Sequence, residues 1–156
     1  MMKTNAILAL EALNIPYQLQ EYDINSGIPV PAFTSGQTRI PLEQSFKTLV
    51  LRGDCLGVLL AVLPLHTQLS FKALAQCSLN QNTHLVPRSE VESLTGYKPG
   101  EVTALACRCS YPVFVDRRAE DLEQIWVSAG KPNLIVGLAP IDYLQLVQGS
   151  FVAIAK

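Results

Sequence analysis

Apolar residues recur along the chain with two different spacings, which together predict a mixture of short helices and short strands. Near the start, Ile7 and Leu10 lie on successive turns of a helix that Thr4 or Asn5 can cap. Residues 58–63, in contrast, are apolar at every position, which is typical of a strand covered on both faces. The same two patterns predict further helices at 41–44, 70–77, 89–96 and 140–149, and further strands at 17–22, 45–51, 113–115, 125–127, 134–136 and 151–154. Because these elements follow no regular βαβ alternation, we expect an α+β fold or a closed sheet flanked by helices.

Several of the predicted helices carry recognisable terminal residues. Ser70 can cap the helix that runs through Cys77. Ser89 and Glu92 have the spacing of a capping box, and Gly96 stands where a glycine commonly ends a helix. These positions predict where the short helices begin and end.

One cation lies in line with core residues. In the predicted strand 45–51, Lys47 falls on the same side as Leu49 and Leu51, because strand side chains alternate with period two. Its stem can lie along the apolar face while the ammonium reaches the rim. Alternatively, the ammonium stands at the mouth of a pocket and faces an anion or a polarised carbonyl. Periodicity does not separate these two interpretations.

The composition indicates one compact domain over residues 1–156, without a strongly charged surface. Hydrophobic residues make up 49% and charged residues 16%, the mean hydropathy is +0.23, and the net charge is −1. We therefore expect no DNA partner, and any contact with nucleic acid to be local. The longest apolar run, 55–65, is shorter than a membrane span, and the N-terminus resembles an amphipathic helix more than a signal peptide. These features predict a cytoplasmic protein with no membrane partner.

The usual catalytic and metal-binding motifs are missing from the sequence. It contains no Gly-x-Ser-x-Gly elbow, HExxH pair, Walker loop or Rossmann glycine run. There is no CxxC pair, and His66 and His84 are far from Cys107 and Cys109, so we expect no metal and no cofactor. A redox or metal function of the Cys107–Cys109 pair is one alternative.

Glycine-containing turns offer a different kind of chemistry. Residues 95–100 and 128–131 each place glycine in a predicted turn, where backbone N–H groups can approach a carbonyl oxygen or a phosphate. Plain turn formation explains the same residues. Residues 25–39 show no clear period and predict a long loop, and long loops in compact domains are often functional.

Taken together, these stretches resemble the YbaK-type aminoacyl-tRNA deacylases, also called the prolyl-tRNA synthetase-associated editing domain. The resemblance covers nearly the whole chain, in family order and with family-like spacing. The matching stretches are Lys3-Thr-Asn-Ala6, Ile15-Pro-Tyr17, Glu21-Tyr-Asp23, Phe46-Lys-Thr-Leu49, Thr95-Gly-Tyr97, Val127-Ser-Ala-Gly-Lys131 and Leu138-Ala139.

The resemblance implies a mixed, barrel-like curled sheet flanked by short helices, and a freestanding hydrolase that removes a wrongly attached small amino acid from tRNA. It implies Lys47 as the central catalytic residue, and a substrate that is attacked by a held water or by its own thiol. The enzyme would then contribute positioning and charge stabilisation. The partner would be the acceptor end of aminoacyl-tRNA, with an aminoacyl-tRNA synthetase as a further candidate. The implied substrate-binding residues are Tyr22, Thr48, Gly96, Gly100, Ser128 and Gly130.

The chain departs from the family pattern in two places. Glu101, Ala104 and Ala106 stand where relatives usually carry glycine, proline and glycine. Ile135 and Gly137 replace acidic residues, the first of which belongs to the cysteine-specific branch. These departures leave open which amino acid the protein would remove from tRNA. They also motivate the alternative of a non-catalytic module on the same fold that binds a tRNA end, a nucleotide or a synthetase.

Overall fold

The computed structural model describes residues 3–21 and 40–156. Within these ranges the chain forms four α-helices, namely α1 (Asn5–Ala12), α2 (Phe71–Cys77), α3 (Val91–Thr95) and α4 (Pro140–Val147). It also forms eight strands, namely β1 (Gln18–Glu21), β2 (Phe46–Gly53), β3 (Gly57–Pro64), β4 (Thr83–Leu85), β5 (Val113–Asp116), β6 (Ile125–Ser128), β7 (Leu134–Leu138) and β8 (Ser150–Val152). Short 3₁₀ helices cover Leu42–Gln44, Arg88–Glu90 and Arg117–Asp121. The predicted loop 25–39 lies outside the described residues.

The strands form two sheets. One has the order β4-β2-β3-β5-β8, in which the apolar strand β3 is central, antiparallel to β2 and parallel to β5. The other has the order β1-β7-β6 and is antiparallel throughout. A parallel bridge between Ser45 and Trp126 links β6 to the residue that precedes β2.

The five-stranded sheet separates two hydrophobic clusters, as its alternation requires. On one face Val50 and Val62 join the larger cluster, which also takes in residues of α1, α4 and the three-stranded sheet. On the other face Leu51 and Leu63 join a smaller cluster, in which Leu74 of α2 is buried. Burial on both faces explains why β3 is apolar at nearly every position.

The α+β prediction, with short helices around mixed β-structure, is confirmed. The strands among the described residues form two sheets that are not closed into a barrel. In the same part of the chain, no helix is long and apolar enough to cross a bilayer.

The helix termini follow the sequence in three of four cases. The Thr4 and Ser70 hydroxyls accept hydrogen bonds from backbone N–H groups in the first turns of α1 and α2, and Gly96 ends α3 in the left-handed conformation at φ +86°. The predicted capping box is wrong. Ser89 lies within the 3₁₀ turn that leads into α3, and Glu90 precedes the helix without a side-chain cap.

Candidate active site

A cavity opens where the two sheets part along the edge of β2. At one end of this edge Ser45 bridges Trp126 of β6, and at the other end the Val86 N–H donates to the Val50 carbonyl at 3.1 Å. Between these points the cavity has a volume of about 380 Å³. It is lined by Phe46, Lys47, Thr48, Leu49, Val50, Leu65, Leu85, Val86, Arg88, Val91, Pro99, Gly100, Val102, Trp126, Ser128 and Ile135.

Four of the residues implied by the resemblance meet at this cavity, and two of the described ones do not. Lys47, Thr48, Gly100 and Ser128 line it. Gly96 and Gly130 are absent from the described lining. Tyr22 lies outside the described residues.

Lys47 lies at the rim between the cavity and the smaller core. Its position opposite Leu63 puts the side chain on the face of the smaller cluster, in line with Leu49 and Leu51. The ammonium donates to the Thr67 carbonyl at 2.7 Å. An ammonium has three N–H donors, so this bond holds Lys47 in place and leaves two donors for a ligand. The stem packing and the cavity position therefore coexist.

Ser128 connects two loops through its hydroxyl. The Oγ donates to the Glu101 carbonyl at 2.8 Å and accepts from the Gly130 N–H at 3.2 Å. The hydroxyl proton is thus already used by the protein, and one lone pair remains for a ligand. This arrangement ties the loop after Gly100 to the turn after β6.

Gly130, which is outside the described lining of the cavity, packs against the Tyr97 ring. Gly130 has φ +93°, and a Cβ at this position would lie 2.6 Å from Cε1 of Tyr97. The ring of Tyr97 therefore lies directly against the Gly130 backbone, and its hydroxyl donates to the Leu105 carbonyl at 2.6 Å. The Thr95 hydroxyl donates to the Val91 carbonyl at 2.8 Å and accepts from the Tyr97 N–H. Residues 95–97 thus hold the end of α3, the Leu105 backbone and the turn at Gly130 together.

Glu101, Ala104 and Ala106, at the three positions that depart from the family pattern, are absent from the described cavity lining. The Glu101 carbonyl accepts from Ser128, and Glu101 is not part of the described lining. Ala104 is buried in the larger cluster. Ala106 has φ +54°, so it adopts the left-handed conformation that favours glycine, the residue that the resemblance implies at this position.

Apolar side chains of the three-stranded sheet form one wall of the cavity. Trp126, Ser128 and Ile135 alternate onto one face of the three-stranded sheet and line the cavity. Gly137 shares that face, and a Cβ there would lie 2.8 Å from the Trp126 ring. The glycine therefore makes room for the indole. Trp126 was not predicted as a site residue, although its two-residue spacing from Ser128 places both on one face.

Charge in the lining is positive. Lys47 and Arg88 are its two ionisable residues, and the described lining holds no carboxylate. Arg88 is exposed, at the start of the 3₁₀ helix that precedes α3. Sequence reasoning did not select Arg88, because a single arginine next to a proline carries no pattern of its own. Such a rim attracts an anionic ligand group such as a phosphate.

The cysteines lie apart from this chemistry. All four thiols are free, and Cys107 donates to the Thr103 carbonyl at 3.2 Å. Burial, with a further contribution from Cys109, raises the pKa of Cys107 to about 11, whereas reactive thiols have a lowered pKa. Among the described residues no three His, Cys, Asp or Glu side chains cluster as metal ligands.

Comparison with known proteins identifies the family of the chain. The family described as the aminoacyl-tRNA editing domain matches residues 34–146. A protein of Enterococcus faecalis, which carries the proposed name Cys-tRNA(Pro)/Cys-tRNA(Cys) deacylase EbsC, is 30% identical over 152 residues, which cover 97% of this chain and 93% of that protein.

Solved structures share the fold. One, described as a proposed trans-editing enzyme for prolyl-tRNA synthetase, has a TM-score of 0.79 at 18% identity and covers 100% of this chain and 99% of its own. Another, described as a hypothetical protein, has a TM-score of 0.81 at 16% identity, and the match covers 98% of this chain and 100% of that one. The family match over most of the sequence, together with the relative that spans nearly its whole length, shows that the chain belongs to the aminoacyl-tRNA editing domain family.

Proposed function

We propose that this protein is a freestanding hydrolase that removes a small, wrongly attached amino acid from the 3′ end of tRNA. The observation that carries the proposal is the meeting of Lys47, Thr48, Gly100 and Ser128 at one cavity of about 380 Å³. Residues 1–156 act in it as one domain, and the cytoplasm, where aminoacyl-tRNA is used, is its place of action. The acceptor end of the tRNA is the partner, and a synthetase is a candidate second partner.

In the proposed reaction, water attacks the ester carbonyl and the bond to the ribose oxygen breaks. The products are the free amino acid and a tRNA with its 3′-terminal hydroxyl restored. Lys47, held at the rim by the Thr67 carbonyl, directs its remaining N–H donors at the carbonyl oxygen as negative charge develops there. The backbone of Gly100 borders the same space, and Arg88 lies where a terminal phosphate can bind.

The walls favour an apolar amino acid. Trp126 and Ile135 form one side of the cavity, and Val91 and Val102 contribute further apolar surface. In a hydrophobic pocket, one methylene more or less changes transition-state binding by only about 1–3 kcal/mol. Such a pocket therefore discriminates weakly between apolar side chains of similar size. We therefore propose alanine-sized to valine-sized side chains as substrates.

Deacylation of a panel of mischarged tRNAs by the wild type and by Lys47→Ala tests the proposal. Loss of a donor to a developing oxyanion lowers rates by about 10²–10³-fold. Lys72→Ala is the matched control, because Lys72 is an exposed lysine of α2 that is not part of the described cavity lining. An active wild type with a Lys47→Ala rate like that of the control would remove Lys47 from the mechanism.

The same assay addresses the non-catalytic alternative. If no aminoacyl-tRNA in the panel is hydrolysed while an acylated 3′ end still binds, the protein is a binding module on the editing fold. Membership in the editing family makes hydrolysis the stronger of the two hypotheses.

A further inference from the structure

The backbone of Thr48, directed away from β3, offers a binding element that side-chain patterns do not reveal. In β2 the odd-numbered residues direct their backbone groups towards β3, as the 2.8 Å bond from the Leu65 N–H to the Ser45 carbonyl indicates. The even-numbered residues direct theirs away from β3, and the Val50 carbonyl accordingly accepts from Val86 beside β4.

Thr48 lies between the two strands that occupy this edge. Pairing with β4 begins at Leu51, with the Val50–Val86 bond just before it, and β6 meets the chain at Ser45. The N–H and C=O of Thr48 therefore point into the gap between the two sheets.

The cavity lining supports this placement independently. The five consecutive residues 46–50 all line the cavity. Neighbouring side chains on a strand point to opposite faces, so a cavity in contact with all five must run along the strand edge, where the backbone is. The edge of β2 at Thr48 is thus the cavity floor.

We propose that Thr48 binds the aminoacyl group by main-chain pairing, as if that group were one residue of an added strand. An aminoacyl ester carries an amino nitrogen and a carbonyl with the spacing found in a polypeptide. The Thr48 carbonyl accepts a hydrogen bond from the α-amino group, and the Thr48 N–H donates to the ester carbonyl oxygen. This binding mode rests on the proposed function, and it gives that function its substrate contacts.

The pairing fits the charges around the cavity. The described lining holds no carboxylate, so the Thr48 carbonyl supplies an acceptor for the α-ammonium. The ester carbonyl then lies next to the strand position of Lys47, whose remaining N–H donors reinforce the Thr48 N–H as the oxyanion forms. Main-chain pairing does not depend on the side chain of the bound amino acid. Selection between amino acids must therefore come from the cavity walls, which include Trp126 and Ile135.

Amide hydrogen exchange, followed residue by residue by NMR, tests the pairing. The probe is 3′-deoxy-3′-(L-alanylamino)adenosine, a stable amide analogue of the acylated tRNA end. At saturating probe we expect exchange of the Thr48 amide to slow at least ~10-fold, since a protecting hydrogen bond forms. The Leu49 amide is the control, because it is directed towards β3 with or without the probe.

A second probe with the α-amino group replaced by hydrogen should bind at least ~10-fold more weakly, because a hydrogen bond to a charged group is lost. Binding of the alanylamino probe without slower Thr48 exchange, or no binding at all, would overturn the pairing. Equal affinity of the two probes would also overturn the amino-group contact. Deacylation by the wild type without Thr48 protection leaves the proposed function standing and removes only this binding mode. Thr48 protection without deacylation would support this binding mode and remove the proposed hydrolysis.

Discussion

Replacement of Ser128 by alanine distinguishes a supporting role of its hydroxyl from a catalytic one. The change removes the 2.8 Å bond to the Glu101 carbonyl and the 3.2 Å bond from the Gly130 N–H. Each hydrogen bond contributes about 0.5–1.5 kcal/mol net, and water can reach this half-buried site. We therefore expect the free energy of unfolding to fall by about 1–2 kcal/mol.

The effect on catalysis should be modest, because Ser128 would act by holding the loop after Gly100 against the cavity. We expect single-turnover deacylation to slow about 10-fold, well short of the ~10²–10³-fold loss typical of a direct oxyanion donor. Urea denaturation and single-turnover kinetics on the same preparation provide both values. Ser93→Ala is the control, since that exposed hydroxyl also donates to a backbone carbonyl, at 3.0 Å, but lies outside the described cavity lining.

A different result would refute this reasoning. If Ser128→Ala leaves stability unchanged and slows deacylation more than ~10²-fold, the hydroxyl acts on the ester itself. Its bond to Glu101 would then have to exchange for a bond to substrate during the reaction. Equal losses in Ser93→Ala would instead show that the assay reports a general weakening of the fold.

Other predictions address the loop and the core. Gly130→Ala should destabilise the fold by about 3 kcal/mol in urea denaturation, because φ +93° and the Tyr97 ring both exclude a Cβ; a loss below ~1 kcal/mol would contradict this. Ala106→Gly should stabilise by about 1 kcal/mol by relieving a left-handed alanine, and an unchanged midpoint would argue against strain there. Tyr143→Phe should change the free energy of unfolding by less than about 1 kcal/mol, since the buried Tyr143 hydroxyl makes at most a weak contact with the Thr48 side chain; a loss above ~2 kcal/mol would show that this contact is a full hydrogen bond. Burial raises the pKa of Cys107 from 9.0 to about 11 and that of Tyr97 from 10.0 to about 12. The free energy of unfolding should therefore be constant below about pH 9 and fall as the pH rises towards about 11 and 12, because the two groups lose their protons more readily in the unfolded chain. Urea midpoints at about pH 8 and about pH 10.5 measure this decrease, and it should be smaller in Cys107→Ala.

The sequence predicted the elements of this fold well where local chemistry determines them. Thr4 and Ser70 cap their helices through side-chain oxygens a few residues from the groups they bind. The Ser89 prediction failed because a 3₁₀ turn starts directly after Pro87, which places Ser89 inside the turn. A capping motif specifies hydrogen-bonding capacity, and the preceding backbone decides whether it is used.

The candidate site was predictable only in part, because it depends on contacts between distant segments. Strand periodicity placed Lys47 beside Leu49, but its ammonium is held by the Thr67 carbonyl, twenty positions further on. Gly96 and Gly130 carry family motifs that place them near the site, yet Gly130 serves to admit the Tyr97 ring. A sequence motif shows which residue type occupies a position. Only the tertiary contacts show whether that residue takes part in chemistry or makes room for a neighbour.

The parting of the two sheets gives the floor and the walls of the cavity different origins. The floor is the main chain of β2 at Thr48, whose direction follows from pairing with β3 and does not depend on side chains around it. The wall is made of side chains from the three-stranded sheet, namely Ile135 and the Trp126 ring, for which Gly137 leaves room. Substitutions in the wall can therefore change which amino acid fits while leaving the floor in place. On this basis, replacing Ile135 should change the ranking of substrates in the deacylation panel far more than it changes the protection of the Thr48 amide.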